Sequence, residues 1–281
     1  MSQNWDTIIE PKSSAFDLKI KEIRRYKDLL FLFVRRDLVA QYKQTILGPL
    51  WYFIQPILTT LTYTVIFGNV AGLSTDGLPK MLFYMAGVTC WRYFSDSLNK
   101  TSNTFTVNAQ IFGKVYFPRI IMPMSIVVSN LLKFGIQLLI LIVFYIYYYT
   151  SGAQIQPTIY LLLFPVLVLC MAMLGLGLGM IISSMVTKYR DLTFLVTFGV
   201  QLLMYISLVV IPLSLFKEKG LEWLVKYNPM AHIVETGRFM ILNEGSVSKF
   251  GIIYTVIFSV LILLLGTIIF NRTEKTFIDT I

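Results

Sequence analysis

The sequence holds one histidine, His232, and two cysteines, Cys90 and Cys170. A single histidine excludes a histidine cluster for metal binding. Both cysteines sit in apolar runs and read as buried thiols, with no disulfide framework implied. Charge is scarce: 14% of the 281 residues are Asp, Glu, Lys or Arg, against about a quarter in a soluble domain. No G-x-x-x-x-G-K-[ST] segment occurs, so the chain has no P-loop for ATP. The run "GLGLG" at 175–179 lies in an apolar helix without strand–turn–helix context, and reads as close helix packing. Within the long apolar runs Asp96 is the only carboxylate. Ion-coupled transporters keep intramembrane carboxylates as relays, so this scarcity argues against secondary transport. Clustered carboxylates for metal or base catalysis are also lacking, which argues against a membrane lipid-glycan enzyme. No catalytic residue, metal or cofactor site is expected in this chain.

What the chain has in quantity is grease and positive charge. It is 56% hydrophobic with a formal net charge of +9. The cations flank apolar segments, which points to a membrane surface and not to nucleic acid. Six segments meet the roughly 20-residue requirement for a helical span: about 50–70, 81–98, 122–149, 158–184, 192–216 and 250–270. The expected fold is therefore an all-α integral membrane domain over 1–281, with a cytoplasmic segment at 1–48 and six spans in 49–281. No cleavable signal is visible, because the first two dozen residues are polar. No role is assigned to 1–15.

Positive charge sets the expected orientation. Nine Lys or Arg lie between Lys12 and Lys43. Lys100, Lys114 and Arg119 follow the second span, Lys188 and Arg190 the fourth, and Arg272 and Lys275 the sixth. The first outer loop has only Lys80 and the second none. Both termini are thus expected in the cytoplasm of a multi-pass membrane protein. In residues 16–34, Phe16, Ile20, Ile23, Leu30 and Val34 recur at helical spacings between basic residues, as in an amphipathic helix lying at the inner interface. A plain stop of positive charge before a span is the simpler alternative. Gly48-Pro49 permits a sharp turn into the first span, where Trp51, Tyr52 and Phe53 would anchor at headgroup level. The last outer loop, 217–249, is unusually apolar. It would hold two short helices broken at Asn228-Pro229 and dipping into the outer leaflet.

Four stretches, in order along nearly the whole chain, resemble the membrane subunit of the polysaccharide-exporting branch of the ABC-2 transporters. They are "RRDLVAQYKQTILGPLWYFIQPIL" (35–58), "IFGKVYFPRIIMP" (111–123), "KYRDL" (188–192) and "WLVKYNPMAHIVETGRFMIL" (223–242). The branch includes permeases for O-antigen, capsular polysaccharide and teichoic acid. The resemblance implies a homodimer with two separate ATPase subunits, which bind ATP and Mg and drive a lipid-linked polysaccharide across the bacterial inner membrane. It implies that the helix near 16–34, with Arg24 and Arg25, contacts the ATPase. It also implies a coupling helix near 104–118, with Asn108, Gln110, Lys114, Tyr116 and Arg119, and re-entrant external helices. A small-molecule exporter of the same superfamily is the nearest rival.

Two aromatic stripes are candidates for the glycan path. Tyr52, Thr59, Tyr63 and Phe67 share one helical face of the first span. Phe194, Phe198, Gln201 and Tyr205 share one of the fifth. Ring faces stack on sugars and hydroxyls bond them, although such stripes also serve plain helix packing. Three charges stand out as candidate substrate or gate groups. Arg92 would pair with Asp96 one turn away or face a polar pathway. Lys133 would snorkel or meet an anionic substrate. Arg190 lies at the mouth of the fifth span.

Overall fold

The computed structural model describes residues 24–43, 45–245 and 247–277, and among these every regular element is helical. Helix α1 (Lys27–Tyr42) precedes a 3-10 turn at Gly48–Leu50, which leads directly into α2 (Trp51–Tyr63). Gly48 takes a left-handed φ of 50°, so the sharp turn expected at Gly48-Pro49 is present. A π-helical segment, Thr64–Val70, continues α2. Then come α3 (Lys80–Thr101), α4 (Thr104–Phe112) and α5 (Ile121–Thr150). A 3-10 turn at Ile159–Leu163 opens α6 (Phe164–Val186), followed by α7 (Leu192–Ile206). The chain ends with α8 (Leu213–Glu218), α9 (Glu222–Lys226), α10 (Pro229–Leu242) and α11 (Lys249–Phe277).

Among the described residues, four helices are long and apolar enough to cross a membrane: Gly48–Val70, Ile121–Thr150, Ile159–Val186 and Lys249–Lys275. The chain is thus a multi-pass membrane protein. The other two expected spans correspond to α3, which is long but carries charges, and α7, which is apolar but short. The expected fifth span of 192–216 is corrected, because its helix stops at Ile206. There the Ser207 hydroxyl donates to the Leu203 carbonyl at 2.7 Å, Leu208 turns left-handed and Pro212 follows. The expected interfacial helix of 16–34 falls within the described residues only over 24–34. Residues 16–23 lie outside the described residues, whereas α1 runs on to Tyr42 and packs against α5. Leu30 is half-buried and Val34 buried, but Phe31 and Leu32 face outward.

The core forms where α6 packs on α11 and α3. The "GLGLG" run does provide close helix approach. A Cβ on Gly177 would stand 2.7 Å from the Ile262 carbonyl, and one on Gly266 would run into the carbonyl of Gly177. Lipid tails are as apolar as leucine, so such backbone-to-backbone fits hold membrane helices together. At one end of the bundle Phe33, Phe105, Phe112, Phe117 and Phe270 form a second cluster under α4. At the other end α9 and α10 break at Tyr227 and Asn228, as expected. The Asn228 side chain accepts from the Met230 and Ala231 amides and so caps α10. Most of α10 is buried in the bundle.

Candidate functional site

A polar cavity of about 380 Å³ opens between α2, α3 and α5, with Met204 of α7 at its edge. Tyr52, Gln55, Thr59 and Tyr63 line it from α2, Arg92, Asp96 and Lys100 from α3, and Lys133 and Gln137 from α5. The helical period explains the α2 contribution, since these positions share the face that meets α3. On α3, Arg92, Asp96 and Lys100 recur every fourth residue and so form one stripe. Arg92 does not close on Asp96: its Nη2 donates to Thr59 Oγ1 at 2.9 Å, and the guanidinium faces the cavity. Lys133 is buried, so snorkelling to the interface is excluded. Its Nζ donates to Asn130 Oδ1 at 3.3 Å and lies 5.8 Å from the Tyr52 ring centre.

The two aromatic stripes part company. On α2, Tyr52, Thr59 and Tyr63 turn inward to the cavity, and Phe67 packs edge-on against Tyr63 at 5.6 Å. Tyr63 Oη reaches Met204 Sδ at 3.5 Å, which links this wall to α7. On α7, Phe194, Phe198, Gln201 and Tyr205 lie on the open face, with Phe194 81% exposed. One chain therefore does not bring the two stripes into a single closed path. Arg190 is exposed in the turn before α7 and is not among the cavity's lining residues.

The candidate coupling residues also divide. Gln110, Lys114 and Tyr116 are exposed, as are Val107 and Val115, so α4 and the turn after it present a mixed apolar and basic face. Arg24 and Arg25 are exposed as well. Asn108 and Arg119 are not part of that face. Asn108 is buried, with its amide donating to the Thr104 carbonyl at 2.9 Å. Arg119 is buried against Phe112 and donates to the Glu274 carbonyl at 3.1 Å, pinning the end of α11 to the loop. Burial lowers the Arg119 pKa from its ordinary value, and the nearby Glu274 charge opposes that shift. The expected coupling helix is correspondingly shorter. It ends at Phe112, before Gly113, and not at Pro118.

These features sit in a recognisable frame. The sequence pattern described as "ABC-2 type transporter" matches residues 28–242, from α1 through α10. The chain belongs to the ABC-2 type transporter family. The ABC-2 match takes in the cavity, both aromatic stripes and the α4 face. Among curated relatives, an "O-antigen export system permease protein RfbA" of Klebsiella pneumoniae is 27% identical over 253 residues, covering 90% of this chain and 94% of the relative. A protein of the same description from Myxococcus xanthus is 27% identical over 263 residues, covering 93% and 98%.

Sequence reasoning missed one residue of this ABC-2 domain that the structure makes prominent. Arg238 is only 2% exposed. Its guanidinium stacks 3.6 Å from the Phe83 ring centre, its Nη2 donates to the Val209 carbonyl at 2.8 Å, and Glu235 lies 3.9 Å away. The signal was present, because Arg238 ends the N-P-x-x-x-x-x-x-x-x-R pattern that begins at Asn228. That pattern holds the end of α7 at both positions. Asn228 Nδ2 donates to Ser207 Oγ at 3.0 Å while Arg238 holds Val209.

Proposed function

We propose that this chain is the permease subunit of an ATP-driven exporter that carries a lipid-linked polysaccharide, O-antigen foremost, across the bacterial inner membrane. Two copies work with two separate ATPase subunits. The observation that carries this reading is the unpartnered aromatic face of α7 beside the inward-facing stripe of α2. A second copy would complete a path walled by Tyr63, Phe198 and Tyr205. Rings stack on the C–H faces of sugars, and Gln201 and the tyrosine hydroxyls bond sugar hydroxyls. The names of the relatives support a glycan cargo, and a chain without a P-loop needs an ATPase partner. ATP hydrolysis there would move the exposed face of α4. In this reading α3 and α7 are the second and fifth of six spans, α9 and α10 are re-entrant, and both termini face the cytoplasm.

Deleting the gene should abolish long-chain surface polysaccharide, and restoring it should bring the glycan back. Normal surface glycan with lost resistance to a small toxic compound would point to the small-molecule rival. Topology is checked by cysteine labelling, since Cys90 and Cys170 are buried. Cysteines at Gln154 and Glu222 should react with an impermeant reagent from outside, and those at Lys114, Lys188 and Lys275 should not. Labelling of Glu222→Cys only from inside would overturn six spans.

A further inference from the structure

Three cations, Arg92, Lys100 and Lys133, line the cavity between α2, α3 and α5, against the single carboxylate Asp96. The hydrogen bonds these cations make go to neutral oxygens. Lys133 and Lys100 both donate to Asn130 Oδ1, at 3.3 and 3.5 Å, and Arg92 donates to Thr59 Oγ1. Two ammonium groups thus share one amide oxygen; Asp96 is the one carboxylate lining this cavity and Asp37 of the adjoining one is paired with Arg36, so the cavity keeps a positive excess. A second observation points to a ligand. Gln137 is 8% exposed, lines the same cavity, and its Oε1 has no hydrogen-bond partner, an acceptor suited to a ligand hydroxyl beside the anionic group.

We propose that this cavity is a phosphoryl-binding site that takes the phosphate joining a membrane lipid to its polar head. A phosphoryl group carries the missing negative charge on several oxygens, which an arginine fork and two lysines bond together. The surroundings suit the two ends of such a molecule. A second cavity of about 450 Å³ shares Lys100 with the first, and is lined by Asn99, Asn103, Asn108, Ser129 and Asn130. Asn99 Oδ1 and Ser129 Oγ are buried there without partners, which fits a hydroxylated head such as a sugar. On α2, beside the cavity wall, Phe53, Leu58 and Leu61 are exposed to receive an apolar tail. The assignment of this lipid as the exporter's cargo rests on the function proposed above; the phosphate site itself does not.

The test uses the purified full chain in nanodiscs of neutral phosphatidylcholine, titrated with farnesyl diphosphate, phosphatidylglycerol and inorganic pyrophosphate. Farnesyl diphosphate should bind, and Lys133→Gln and Arg92→Gln should each weaken it by about tenfold or more. Lys133→Arg keeps the charge and should stay within about threefold of the parent. Misfolding would damage Lys133→Arg and Lys133→Gln alike, so their separation reports on charge. Preference for farnesyl diphosphate assigns the site to a polyprenyl carrier, and preference for phosphatidylglycerol to an ordinary lipid headgroup. Pyrophosphate alone binding as tightly as either lipid would remove the lipid from the proposal. Surface polysaccharide, measured in parallel, separates the two readings. If gene deletion abolishes glycan but both Gln variants bind like the parent, the site is wrong and the exporter stands. If deletion leaves glycan normal but the Gln variants lose binding, the site stands and the exporter reading is wrong. No lipid binding in the parent overturns the site outright.

Discussion

Helices α3 and α7 invert the usual relation between greasiness and burial. Helix α3 carries Lys80, Arg92, Asp96 and Lys100, yet sixteen of its 22 residues are buried. Helix α7 has no charged residue over Leu192–Ile206, yet only Val200 is buried. In water this would be backwards. In a membrane an apolar side chain gains little by leaving lipid, whereas a charged one must find polar company inside the bundle. Burial in α3 marks tight packing, while Arg92, Asp96 and Lys100 stay half-buried along the cavity. Exposure of α7 marks a surface that lipid or a second chain covers.

The largest break in that contrast should come where the two helices are tied together. Arg238 stacks on Phe83 of α3 and bonds the Val209 carbonyl just beyond α7. Arg238→Ala removes one partner of the buried Arg238–Glu235 pair and the donor to that carbonyl. The expected cost is about 3–5 kcal/mol, seen as loss of a monodisperse peak or a collapse in the Tm of the detergent-purified protein. A Tm within a few degrees of the parent would show that the tie is dispensable.

A matched pair of aromatic truncations tests the contrast directly. Phe94 in α3 is 1% exposed and Phe198 in α7 is 62% exposed. Phe94→Ala should cost about 3–5 kcal/mol, as in other packed cores. Phe198→Ala should shift stability by no more than about 0.5 kcal/mol while reducing surface polysaccharide. Tyr205→Ala should behave like Phe198→Ala. Normal export in both α7 variants would remove the aromatic path and leave the family assignment intact.

A smaller effect is expected between α6 and α11. Gly177→Ala places its Cβ against the Ile262 carbonyl at 2.7 Å, and overpacking of this kind costs about 1–3 kcal/mol. Gly199→Ala on α7 meets no atom within 4 Å and should be silent or slightly stabilising in a melting experiment. The smallest change in stability should come at the α4 face. Lys114→Glu and Tyr116→Ala should leave the Tm within experimental error but weaken co-purification of the ATPase subunit. Arg119→Glu should lower both, because Arg119 is buried and anchors the end of α11. Equal co-purification in all three would separate α4 from coupling.

Much of this was legible in residue order. The apolar runs located α2, α5, α6 and α11 to within about seven residues at each end, since about 20 apolar residues in a row have few other uses. Gly48-Pro49, Asn228-Pro229 and the "GLGLG" run each did locally what their chemistry required: a turn, a capped break and a close contact. The stripe periodicity on α2 and α7 was also correct as helical geometry. The end of α7 was less legible, because 208–211 remain apolar after the helix stops and only Ser207 and Pro212 hint at the change.

What residue order left undecided is the rotation of each helix about its own axis. Periodicity says that Tyr52, Thr59 and Tyr63 share a face, and that Phe194, Phe198 and Tyr205 share another. It says nothing about which face meets a neighbour, because that depends on contacts made with distant parts of the chain. Tertiary packing turned the first stripe into a cavity and left the second open. It buried Arg119 and Asn108 and left Lys114 and Tyr116 outside. It also gathered Arg92, Lys100 and Lys133 from α3 and α5 around one cavity, where the two lysines share one asparagine oxygen. A sequence determines which groups a membrane helix must shield from lipid; only the assembled bundle determines what shields them.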